Sequence, residues 1–127
     1  MSTPSNPPWR YGVYAFLLVP LLSAVSYVGL FAGVSGVQET PSVFLIGFAL
    51  TVLSQWVAIV LALVVLTALV LDARALAERD DEAWSPNPYL YGLCGLVHVA
   101  GAFLVAPYVL SVPALSYYVY RRRQYAP

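Results

Sequence analysis

YLYGLCGLVHVAGAFLVAPYVLSVPALSYYVYRRR, residues 89–123, is free of formal charge from Tyr89 to Tyr120 and closes on Arg121, Arg122 and Arg123. As one helix the uncharged run would measure about 48 Å. That exceeds a hydrocarbon core of about 30 Å even with tilt, and it places Pro107 and Pro113 in a helix interior. As a hairpin turning near Ala106 and Pro107, each arm holds about 17 residues, the lower limit for a crossing. Length alone leaves both threadings open.

Charge placement separates them. With four crossings all six basic residues, Arg10, Arg74, Arg79 and the terminal three, fall on one side of the membrane, and the short loop holding Glu39 falls on the other. With three crossings the split is three against three. Cytoplasmic segments are enriched in Lys and Arg, so the pattern predicts four helices with both termini cytoplasmic. The aromatics Trp9, Tyr11, Trp84, Tyr89, Tyr91, Tyr117, Tyr118 and Tyr120 would then form one interfacial belt, with Tyr108 near the opposite surface. The alternative is three crossings, the last long and proline-kinked.

The rest of the chain has the same character. At 127 residues, with 61% hydrophobic and 9% charged residues and a mean hydropathy of +0.77, it has too little polar surface to coat a soluble globule. The uncharged runs 11–37 and 43–71 are each longer than a spanning helix requires, and their continuous apolarity rules against a β-barrel. The expected architecture is an all-α integral membrane bundle spanning residues 9–127, with helices near 11–37, 42–76, 88–106 and 108–123, after a disordered leader over 1–8. A cleaved signal peptide fits poorly, because the first apolar stretch is about twice the length of an h-region. Pro20 is expected to kink the first helix. Asp72, Arg74 and Glu78 read as a helix end running into water, and residues 84–88 as a breaker.

Few residues could carry chemistry. Ser54 and Gln55 on the second helix, and Cys94 and His98 four apart on the third, form a candidate intramembrane polar site. An ionisable group within a membrane helix invites a functional reading as metal ligand, haem ligand or proton relay. The structural reading is a neutral His98 bonded to Gln55, Ser54 or a carbonyl, and Gln55 itself is expected to face another helix. One His and one Cys are two ligands where a closed zinc site wants four, so no metal or cofactor is assigned. Gly29, Gly33 and Gly36 recur on one face and are expected to pack against a neighbouring helix. Arg121, Arg122 and Arg123 are expected to anchor topology against anionic lipid headgroups. No nucleophile–base set or phosphate-cradling loop appears, so no enzyme is predicted, and no basic patch suits nucleic acid.

Asp72-Ala-Arg74, the acidic loop behind it, Trp84-Ser-Pro-Asn-Pro-Tyr-Leu-Tyr and Tyr118-Val-Tyr-Arg-Arg-Arg are spread over the C-terminal part of the chain, from Asp72 onward. They resemble an uncharacterised family of small multi-spanning membrane proteins of halophilic archaea, as do the absence of Lys and the acidic loop. The resemblance implies an architecture and no activity. The expected function is therefore a structural or partner-binding role in the cell membrane, with lipid and a protein partner or a second copy as contacts. The alternatives are an oligomeric small transporter or channel with a midplane site around Gln55 and His98, and a haem-binding subunit using His98.

Overall fold

The computed structural model describes residues 8–36, 41–78 and 84–125. All regular structure among them is helical. Helix α1 (Arg10–Tyr14) runs through a 3₁₀ turn (Ala15–Leu17) into α2 (Leu18–Gly36), and α3 (Pro41–Ala77), α4 (Pro88–Leu104) and α5 (Tyr108–Tyr125) follow. These make four rods. Two of them, Arg10–Ser35 and Pro41–Ala77, are long and apolar enough to cross a membrane, whereas α4 is apolar but shorter. The expected leader, the turn at 37–40 and the acidic residues at 79–83 lie outside the described residues.

The terminal run does not form one kinked helix. It breaks at Val105, which has a φ of 65° and a ψ of −51°. The Ala106 N–H there bonds the Leu104 carbonyl at 2.8 Å, closing a γ-turn. Pro107 follows and cannot extend α4. The two helices then return on each other: His98 meets Ser111, the Tyr108 ring lies over Gly101, and Tyr91 meets Tyr118, stepping in opposite directions along α4 and α5. The same reversal joins α2 to α3 through Ser26 and Thr51, and α3 to α4 through Gln55 and Ala102. The result is an up-down-up-down bundle. Its one end collects Arg10, Asp72, Arg74, Glu78 and Arg121 to Arg123, which are all the charged residues among those described.

Burial follows a repeat of three and four. On α3 it takes Ser54, Ala58, Ala62, Val65, Leu69, Asp72 and Leu76. On α4 it takes Tyr91, Gly95, His98 and Ala102, and on α5 Ser111, Leu115, Tyr118 and Arg122. Such a stripe is the seam of helices crossing at a shallow angle, and its alanines and glycine let backbones close up. Outside the stripes the surface is apolar: Phe31, Ile46, Leu53, Leu104 and Val109 are each more than three-fifths exposed. That surface suits lipid.

Gly29 and Gly33 do pack, and their partner is Gly47 on α3. A Cβ on Gly47 would stand 2.6 Å from the Gly29 carbonyl oxygen and 2.7 Å from the Gly33 Cα, both rigid backbone. A Cβ on Gly33 would meet Gly47 at an ordinary 3.5 Å, and one on Gly29 would be tight at 3.0 Å from Thr51 Oγ1. Gly36 closes α2, and its packing lies outside the described residues. The three substitutions to Ala should therefore rank by unfolding free energy in mixed micelles: Gly47→Ala loses about 1–3 kcal/mol, Gly29→Ala less, and Gly33→Ala stays near the parent protein.

Candidate functional site

Two buried polar clusters hold the bundle, one in its middle and one at its charged end. The middle one begins with a proline. Pro20 has no N–H, so the carbonyl four residues earlier, on Phe16, lacks its i→i+4 donor, and a backbone N–H at the C-cap of the 3₁₀ turn bonds it instead, leaving its second lone pair open. The rod tightens into the 3₁₀ turn just there. His98 Nε2 reaches that carbonyl from α4 at 2.8 Å, and His98 Nδ1 lies 2.8 Å from Ser111 Oγ on α5. A carbonyl can only accept, so Nε2 carries the proton and Nδ1 accepts from the serine hydroxyl. A neutral imidazole then satisfies three helices at once, and none of its surface is exposed. The Tyr108 ring packs edge-on at 5.4 Å from the His98 ring, and its hydroxyl shares a 2.7 Å hydrogen bond with Ser23 on α2.

The end cluster is ionic. Asp72 Oδ2 accepts from Arg122 Nε at 2.8 Å and from the Tyr118 hydroxyl at 2.6 Å, while Oδ1 accepts from Arg122 Nη2 at 3.1 Å. Both charged side chains are fully buried. The two-pronged geometry is what a planar guanidinium offers a carboxylate. Rings close over it: Tyr91 stands 4.7 Å and Trp84 5.2 Å from the Tyr118 ring, both near edge-on as aromatic pairs prefer. The Arg121 guanidinium lies 6.0 Å from the Trp84 and Tyr117 rings. That is the outer limit of a cation–π contact. Asn87 caps α4 beside this cluster, its side chain accepting from the Tyr89 and Leu90 N–H groups, with Pro88 in the first helical turn that suits it.

These arrangements revise three sequence expectations. Asp72 is not a solvated helix end; its place in the α3 stripe turns it inward. The three arginines are not alike, because Arg122 falls in phase with Ser111, Leu115 and Tyr118 and points into the bundle, while Arg123 is exposed and Arg121 half-buried. Tyr118, Tyr91 and Tyr108 are core residues rather than parts of an interfacial belt. The candidate polar set also separates. Gln55 donates at 2.6 Å to the Ala102 carbonyl, Ser54 is buried in the α3 stripe, Cys94 is half-buried against the core, and His98 serves Phe16 and Ser111. Among the described residues no three of His, Cys, Asp and Glu converge as metal ligands.

No protein-family model, curated protein or solved structure matches the chain.

The chain of cause from Pro20 to His98 has a measurable consequence. His98→Ala should destabilise the bundle by about 1–3 kcal/mol by removing the bonds to the Phe16 carbonyl and the Ser111 hydroxyl and leaving that buried hydroxyl without its acceptor. Pro20→Ala restores the i→i+4 donor that this carbonyl lacks. In a double-mutant cycle the two substitutions should then couple, with the Pro20→Ala background softening the loss at His98 by about 1 kcal/mol.

Proposed function

We propose that this chain is a multi-pass membrane protein with a structural or partner-binding role and no catalytic one. The observation that carries the reading is the division of its polar groups. The described charges sit at one end, the interior polar groups are spent on helix–helix bonds, and the flanks are apolar. All four rods lie in the bilayer with both termini on the cytoplasmic side, since Arg10, Arg74 and Arg121 to Arg123 share an end and basic residues favour that side. At that surface the exposed Arg74 and Arg123 meet anionic headgroups, and the segment from 78 to 88 meets a protein partner or a second copy. The likeness of the C-terminal part of the chain to small membrane proteins of halophilic archaea belongs to the same reading.

Embedding and orientation are tested by single reporter cysteines in a Cys94→Ala background, labelled in sealed cells with an impermeant thiol reagent. A cysteine added after Pro127 should label only after permeabilisation, and Gln38→Cys should label from outside. Labelling of the C-terminus in intact cells would overturn the orientation. The structural role is tested in proteoliposomes: Gln55→Ala and His98→Ala should lower stability without removing a solute flux. Loss of a flux from a bundle that stays folded would favour a transporter instead.

A further inference from the structure

Resting on the bilayer reading above, we infer that α4 and α5 form a re-entrant hairpin, whose tip at Val105 to Pro107 ends inside the hydrocarbon of the far leaflet. Only α2 and α3 then reach the far surface.

The first ground is length measured from the charged end. From Tyr89 to Leu104, α4 descends about 24 Å, and from Tyr120 back to Tyr108, α5 descends about 20 Å. Neither covers a core of about 30 Å. The partners of the tip are Ser23, bonded to Tyr108, and Gln55, bonded to Ala102. Beyond those points α2 continues to Gly36 and α3 continues back to Pro41. Each extension adds about 20 Å. Val28, Phe31, Leu45 and Ile46 on those extensions are all well exposed, Phe31 at 76%. A tip at the far surface would push this apolar pair about 20 Å into water. A tip within the far leaflet lets α2 and α3 span the whole bilayer of about 40–45 Å, headgroups included.

The second ground is the backbone of the tip itself. In hydrocarbon an unpaired peptide group has no water to turn to. The Val105 N–H bonds the Gly101 carbonyl at 2.8 Å, Ala106 N–H the Leu104 carbonyl at 2.8 Å, Tyr108 N–H the Val105 carbonyl at 2.9 Å, and Val109 N–H the Ala106 carbonyl at 3.1 Å. Leu110 and Ser111 N–H both bond the Pro107 carbonyl at 3.1 Å, and Pro107 has no N–H to satisfy. Every backbone donor from 105 to 111 is thus internal or absent. Gln55 gives the Ala102 carbonyl a side-chain donor, in the last turn of α4 where carbonyls lack helical partners. The side chains agree. Where a water-facing turn would place Gly or Asn at positive φ, this one has the β-branched Val105, flanked by Leu104, Ala106 and Pro107.

The test uses nitroxide labels on Ala106→Cys and Gln38→Cys, each in a Cys94→Ala background and reconstituted in phospholipid vesicles. The label at Ala106 should collide with dissolved oxygen and be shielded from a water-soluble nickel chelate, and impermeant maleimide should modify Ala106→Cys on the order of tenfold more slowly than Gln38→Cys. Equal chelate and maleimide access at both positions would overturn the re-entrant tip while leaving the bilayer reading intact. Shielding of both positions would show that α2 and α3 do not reach the far side, and would overturn the bilayer reading together with it. Gln55→Leu gives a second readout in vesicles: the Ala102 carbonyl, stranded away from water, should lower the unfolding temperature. An unchanged temperature would mean that the carbonyl is hydrated and the tip lies in water.

Discussion

The two-pronged ion pair between Asp72 and Arg122 is the constraint on which the rest of this bundle depends. A carboxylate without surface exposure is untenable alone, and the residue that neutralises it lies fifty positions away at the end of α5. For the pair to exist, the chain after Asp72 must leave the end of α3, descend as α4, turn, and climb back as α5. The turn at Val105 and the antiparallel contacts of α4 with α5 are the means by which Arg122 arrives. Tyr118 fills the remaining hydrogen-bonding capacity of Asp72 Oδ2, and Trp84 and Tyr91 keep water from the assembly.

A second dependence runs through Pro20. Pro20 removes the i→i+4 donor of the Phe16 carbonyl, and the 3₁₀ turn that replaces it leaves one lone pair for a neighbour to answer. His98 answers it, and in doing so becomes a three-way joint among the first rod, α4 and α5. The one imidazole of the chain is thereby occupied in holding helices together. The polar groups that first invite a mechanistic reading are, in place, the mortar between apolar helices.

Much of this was legible in the residues. The all-helical build follows from apolar run length, the break near Ala106 and Pro107 from the charge placement that favours a hairpin, and the packing face of Gly29 and Gly33 from small-residue spacing. The inward turn of Asp72 and Arg122 was legible too, but only to a reading that carries the repeat of three and four past the last apolar residue. Asp72 continues the series Ala58, Ala62, Val65, Leu69, and Arg122 continues Ser111, Leu115, Tyr118. A charge at a helix end is ordinarily solvated, and that prior outweighs the phase when the helix is read alone. What could not be read was which distant partner each polar group would find. Phe16 and Ser111 as the partners of His98, and Gly47 as the counterpart of Gly29 and Gly33, are long-range pairings that local periodicity does not encode.

The most direct test of the account is a thermodynamic cycle on the ion pair, with unfolding free energy measured in mixed micelles for Asp72→Leu, Arg122→Met and the two together. Each single substitution strands a buried charge and should cost about 3–5 kcal/mol, while the double variant should recover most of that loss, because two apolar side chains replace two mutually dependent charges. Single variants as stable as the parent, or losses that simply add, would contradict the claim that this pair closes the bundle.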